Sequence, residues 1–300
     1  MKTLKNLKKG DKVVVLSTAR KVSMDEIKFA ITIFESWGLV VELAENLFEE
    51  DNQFAGTVSQ RTQDLQNMIN RRDIKAIFFA RGGYGTVQII DNLNFSKLSQ
   101  FPKWLVGYSD VTVIHSHLNK QELITLHATM PINFVSNKKT ALDSLYNVLF
   151  NNKNKIQFKS HYLNKLGSVN GKIVGGNLSI IYSLIGSKSE LDTQNKILFL
   201  EDIDEYLYHI DRMMINLDRN NILSNIKALI VGSMTNMNDN EVPFGKSANE
   251  IIHSYASKYD FPICFNFPSG HIDDNRTIVF GVDSCLNIDE RGVSLHQFIK

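Results

Sequence analysis

The first half of the chain alternates short apolar, β-branched runs with amphipathic stretches, the pattern of strand–helix units wound on a parallel sheet. Residues 13–16, Val-Val-Val-Leu, form the first predicted strand. Beyond it Ser23 and Glu26 have capping-box spacing, Ile27, Ala30, Ile31 and Phe34 recur at helical intervals, and Gly38 supplies a stop. These signals predict a helix with both ends marked. Residues 39–43 then read as a strand, 60–72 as a helix, and 74–80 as a buried strand ending at Arg81-Gly82-Gly83-Tyr84-Gly85. The alternation continues through strand-like 104–108, helix-like 110–119 and strand-like 124–127.

Residues 137–170 are rich in Asn, Lys and Ser and hold no long periodic run outside 142–150, which predicts a linker. A second set follows: strand 172–174, helix 177–185, strand 197–200, helix 207–217, strand 228–231, and strands near 263–265 and 277–280. In the tail, Asp289-Glu290-Arg291-Gly292 between two alternating runs predicts a hairpin. The fold class is therefore α/β. A chain of 300 residues exceeds a typical single domain, so the division expected is domains 1–136 and 171–300 facing one cleft.

Composition narrows the partners. Lys plus Arg number 33 against 32 Asp plus Glu, so no global field favours nucleic acid or an anionic membrane. Cys264 and Cys285 have no metal-ligand spacing and make no disulfide framework, which fits buried free thiols in a reducing compartment. The apolar run at 13–16 is too short for a secretory signal, and no stretch approaches the ~20 apolar residues that span a bilayer. A cytoplasmic protein acting on a small or peptide-like partner is the expectation.

Several strand ends carry chemistry. In the run from Lys103 to His115 an apolar strand enters Gly107, Ser109 stands at the turn, and a helix begins at Asp110. That arrangement would project a hydroxyl at the carboxyl edge of the sheet, beside a helix N-terminus able to stabilise an oxyanion, with the Asp110 N–H as first donor. Val111 stands where a G-x-S-x-G elbow has its second glycine, and a serine before Asp is also a good helix cap, so both readings stand. The glycines of 81–85 would let backbone N–H groups approach a ligand or oxyanion, or simply make a tight turn; neither G-x-G-x-x-G nor a P-loop ending is present. Glu201 follows a buried strand within an acidic cluster that fits a solvated loop, a cation site or a partner for histidine, with metal the least supported. His271 lies in a polar turn, free to reach a cleft or to stay merely exposed, whereas His115 and His117 face different sides of one helix. Gly175-Gly176-Asn177 is a further strand-to-helix turn where substrate could lie, or where Asn177 caps the helix.

In order along the chain, Arg81-Gly-Gly-Tyr-Gly85, Gly107-Tyr-Ser-Asp110, Gly175-Gly-Asn177, Glu201-Asp-Ile-Asp-Glu-Tyr206, His209-x-x-Arg212 and Gly270-His271-x-x-x-Asn275-x-Thr277 form one set. The set resembles the LD-carboxypeptidase family of serine peptidases, which also contains the microcin C self-immunity peptidases. The resemblance implies an N-terminal parallel-sheet α/β sandwich, a C-terminal β-rich α/β domain, and a homodimer. It implies Ser109 as nucleophile, His271 as general base and Glu201 as the residue orienting that base, with no metal and no cofactor. Gly83 and Asp110 would form the oxyanion hole, and Arg81, Gly82 and Asn177 would line the substrate. Arg81 or Arg276 would meet a substrate carboxylate. Where relatives carry Gly-Pro after Leu-His, this chain has Ala128-Thr129-Met130-Pro131, a change on the substrate side. The substrate implied is a murein tetrapeptide losing its terminal D-alanine in cell-wall recycling. A detoxifying peptidase acting on a peptidyl-nucleotide, and a non-catalytic protein holding a small ligand, are the alternatives.

Overall fold

The apolar runs become the strands of two sheets in the computed structural model, which describes residues 4–299. The first half contains β1 (Lys12–Leu16), α1 (Met24–Ser36), β2 (Val40–Leu43), α2 (Val58–Asn70), β3 (Ile74–Phe79), α3 (Thr86–Ile89), β4 (Trp104–Gly107), α4 (Thr112–Asn119), β5 (Thr125–His127) and α5 (Lys139–Asn151). The second contains β6 (Lys153–Phe158), β7 (Gly167–Asn177), α6 (Leu178–Leu184), β8 (Ile197–Ile203), α7 (Leu207–Arg219), β9 (Ala228–Thr235) and α8 (Ala248–Ala256). It ends with β10 (Ile263–Cys264), β11 (Ile278–Phe280), β12 (Asp283–Ile288) and β13 (Val293–Phe298).

The first sheet runs β11-β5-β4-β3-β1-β2, parallel from β5 to β2, with β11 antiparallel on the edge of β5. The second runs β10-β9-β8-β7-β12-β13-β6. Its β10 to β7 portion is parallel and the remainder antiparallel, because β7 pairs with β12 along its first half and with β8 along its second. Strands such as Val13–Leu16 and Ile197–Leu200 are wholly buried. Burying each such side chain contributes roughly 1.5–3 kcal/mol, which explains why uninterrupted apolar runs settle in the parallel regions.

Local chemistry sets the helix ends. The Ser23–Glu26 capping box opens α1 as its spacing predicts. A second box, Thr57–Gln60, opens α2 two residues ahead of the expected start at residue 60. Lys103 Nζ then donates to the carbonyls of Met68, Ile69 and Arg71, satisfying the C-terminal turn of α2 from another element.

The stretch 137–170 differs from the linker expected. It holds α5, β6 and the start of β7, and Ala141, Leu145, Val148 and Leu149 bury the face of α5 in the first core. The periodic run at 142–150 is most of α5, and the polar Asn, Lys and Ser around it make the stretch read as a linker. A second difference has more consequence for the site. Strand β11, from the C-terminal half, joins the first sheet, so the 265–277 loop is tied to the second sheet at β10 and to the first at β11. Residues 1–3 and 300, the outermost parts of the two expected domains, lie outside the described residues. Cys264 is buried and Cys285 half-buried, both free thiols. No helix among the described residues is long and apolar enough to cross a membrane.

Candidate active site

Ser109 follows the buried strand β4 and begins a 3-10 turn that leads into α4, so the single helix expected from 110 to 119 is in fact two segments. Its φ is +62°, a left-handed conformation that costs a residue with a Cβ about 1–3 kcal/mol. Neighbouring contacts hold the turn in place. His115 Nε2 lies 2.9 Å from the Gly107 carbonyl, and the Val111 N–H donates to the Tyr108 carbonyl at 3.2 Å. The buried Asp110 carboxylate accepts the Thr86 N–H at 2.8 Å, fastening the start of α3, and with it the 81–85 loop, to the serine turn. Burial pushes the Asp110 carboxyl upward against the opposing effects of the Thr86 hydrogen bonding and the Arg61 charge.

The loop's second attachment is Arg61, 1% exposed, whose guanidinium donates to the carbonyls of Gly56, Thr18 and Gly85 and to Gln88 Oε1. In the sequence Arg61 reads as an ordinary residue of a solvated helix, and nothing local marks it as the bolt joining these loops. The result is close contact at Gly82. A Cβ there would stand 2.8 Å from Ser109 Cβ and 2.9 Å from Ser109 Oγ, with the Asp110 N–H at 3.4 Å. Gly82→Ala is therefore expected to lower kcat roughly 10²-fold by displacing the hydroxyl or the loop, while the melting temperature changes little. Unaltered steady-state turnover by this variant would contradict the placement.

Glu201 lies at the carboxyl end of β8, fully buried, and its Oε2 is 2.6 Å from His271 Nδ1. Gly270 makes that approach possible at φ +118°: a Cβ there would fall 2.5 Å from Ser233 Oγ and 2.8 Å from Glu201 Oε2. The histidine turn is secured by Gly270 N–H donating to Asn275 Oδ1 and Thr235 Oγ1 donating to the His271 carbonyl. Burial disfavours the imidazolium, yet the field and hydrogen bond of Glu201, reinforced by Asp202 and Asp204, raise the His271 pKa overall. The imidazole packs on the Tyr108 ring at 4.8 Å, beside the residue that immediately precedes Ser109. With Nδ1 committed to Glu201, the neutral ring carries its lone pair on Nε2, which has no hydrogen-bond partner among the described residues; nor has Ser109 Oγ.

The remaining sequence candidates divide. Asn177 is 4% exposed; its Oδ1 caps α6 through the Ile180 N–H and its Nδ2 donates to Asp202, so its side chain is committed to structure. Asp202 accepts from the Ser179 and Ile203 N–H groups as well, and burial beside Glu201 pushes its carboxyl up to about 7. Arg81 donates to the Lys21 carbonyl and stands 3.8 Å from Glu26, while Arg276 is engaged by Asp274 and the Gln157 carbonyl. Both arginines expected to meet a carboxylate are thus already occupied. His209 pairs with Glu205 at 2.6 Å, His117 lies 2.9 Å from Ser189 Oγ, and burial drives His115 down to about 4. Among the described residues no group of His, Cys, Asp and Glu is arranged to hold a metal ion.

Residues 13–128 match the family described as LD-carboxypeptidase N-terminal domain, and residues 170–286 that described as LD-carboxypeptidase C-terminal domain. The chain is 29% identical over 298 residues to the probable murein peptide carboxypeptidase of Bacillus subtilis (strain 168), covering 96% of this chain and 92% of that protein. It is 27% identical over 289 residues to the murein tetrapeptide carboxypeptidase of Pseudomonas aeruginosa, covering 92% of each. The crystal structure of muramoyltetrapeptide carboxypeptidase from Oxalobacter formigenes has the same fold, with a TM-score of 0.88 over 95% of this chain and 98% of that one at 24% identity.

Proposed function

The chain belongs to the LD-carboxypeptidase family, and from that premise we propose that it is a serine carboxypeptidase hydrolysing an L,D-peptide bond, removing the terminal D-alanine of a murein tetrapeptide in cell-wall recycling. The observation that carries the chemistry is the 2.6 Å contact between buried Glu201 and His271, with the imidazole packed at a tilt against the residue next to a serine in strained backbone. Buried carboxylate, oriented imidazole and a hydroxyl at a sheet edge are the parts a serine peptidase needs.

In this reading Ser109 Oγ attacks the carbonyl carbon of the scissile bond as His271 Nε2 takes its proton. Glu201 stabilises the imidazolium and fixes its tautomer. The developing oxyanion accepts from the N–H groups of Asp110 and Gly83, near the start of the helical turn. Collapse expels the D-alanine amine, which receives the proton from Nε2. Water then attacks the acyl-enzyme by the same relay, releasing the tripeptide and restoring the hydroxyl.

The base must be neutral to act, so kcat/KM should rise with pH through the His271 pKa. Because that value is raised, the acid limb is expected to have its midpoint above the ordinary imidazole value of about 6.5. A rate profile with its midpoint well below that value would count against His271 as the base.

Incubating the protein with murein tetrapeptide and weighing the product tests the substrate: loss of one alanine is expected, and an intact tetrapeptide refutes it. A peptidyl-nucleotide assayed in parallel separates the detoxifying alternative, and turnover of either excludes a silent binding protein. The same reading carries a cytoplasmic homodimer, which light scattering of the purified protein tests for its oligomeric part.

A further inference from the structure

An exopeptidase must recognise the free carboxylate of its substrate. That group lies one residue beyond the scissile carbonyl, so its partner must stand about one residue's length, ~3.8 Å, beyond the oxyanion donors. Gly82 and Gly83 are successive residues. The Cβ position of Gly82 faces Ser109, whereas that of Gly83 faces Arg20, at 2.6 Å from Cδ, 2.7 Å from Cγ and 2.9 Å from Nε. One dipeptide therefore has the hydroxyl against one residue and an arginine stem against the next.

Arg20 differs from the other arginines around the site. Arg61, Arg81 and Arg276 are each occupied by carbonyl or carboxylate oxygens, but the Arg20 side chain is exposed and meets no such partner among the described residues. Its backbone is nonetheless fixed. Ser17 Oγ donates to the Arg20 carbonyl at 2.8 Å, and on either side the Lys21 N–H donates to the Gln53 carbonyl and the Ala19 carbonyl accepts the Ala55 N–H. The stem is thus packed on Gly83 and the planar guanidinium is left open, with a donor fork that matches a carboxylate.

We propose that Arg20 receives the terminal α-carboxylate of the substrate and makes the site selective for a free chain end. The proposal rests on the carboxypeptidase reading and adds the group that recognises the substrate's end. It is tested with two substrates, a murein tetrapeptide and the same peptide ending in a carboxamide, using the wild-type protein, Arg20→Gln and Arg20→Lys.

The wild type should prefer the acid. Arg20→Gln should lose roughly 10- to 100-fold in kcat/KM on the acid, chiefly through KM, so that the two peptides turn over nearly alike. Arg20→Lys should restore part of the preference, since a point charge replaces the fork; a stem that merely covers Gly83 would show no such dependence on the substrate's charge. Retention of the acid preference by Arg20→Gln overturns the proposal alone, as does a wild type that cleaves both peptides equally. A wild type that cleaves neither overturns the carboxypeptidase reading and the role of Arg20 with it.

Discussion

Ser109→Ala is expected to reduce kcat by about 10⁴-fold or more while the protein stays folded. The hydroxyl has no hydrogen-bond partner among the described residues, so its removal leaves no buried group unsatisfied. Alanine inherits the same φ of +62°, and the strain of the turn with it, so the melting temperature should move little. The loss must then fall on the chemical step: without Oγ there is no acyl-enzyme, and what survives is the stabilisation of the oxyanion formed when water attacks the carbonyl carbon directly. Single-turnover mass spectrometry supplies the stricter check, because wild type should accumulate or pass through a covalent adduct at position 109 and the variant should form none. A variant that hydrolyses tetrapeptide at the normal rate would end the case for a serine nucleophile.

Glu201→Gln should cost a comparable factor, on the order of 10⁴ in kcat, for a different reason. Glutamine fits the same buried site, but an amide that presents its NH₂ to Nδ1 makes that nitrogen the acceptor and leaves the proton on Nε2, the wrong tautomer for a base. It also removes the charge whose field and hydrogen bond oppose the effect of burial on His271. With that support gone, burial prevails and the His271 pKa falls. Residual activity should accordingly show an acid limb displaced to lower pH relative to wild type. Two outcomes oppose the assignment: near-normal kcat, or a reduced kcat whose pH profile does not move.

Much of this was legible in the linear pattern. The runs at 13–16, 74–79 and 197–200 become buried strands because continuous apolar residues have nowhere else to go, and the Ser23–Glu26 box opens its helix because the contact is local. That Ser109, Glu201 and His271 each follow an apolar run could also be read, although β8 continues to Ile203 and so holds Glu201 within the strand rather than at the turn after it. Arg61 and the Asp110 carboxylate could not be read so. Their partners are separated from them by 24 residues or more in the case of the Gly85, Thr18 and Thr86 contacts, and no spacing rule reaches that far.

The sequence by itself determined the α/β class, the capped helix ends, and which strand ends carry a hydroxyl, a carboxylate and an imidazole. Those follow from periodicity and from hydrogen bonds between near neighbours along the chain. Only the tertiary structure decided that Asn177, Arg81 and Arg276 are already occupied, that Arg20 is open beside Gly83, and that His271 reaches Glu201. The pairing of β11 with β5 then carries the histidine loop on to the first sheet, where the imidazole meets the Tyr108 ring beside Ser109. Strand pairing between distant segments is selected by the burial of whole faces, a property of the assembled sheets that no short stretch of chain contains.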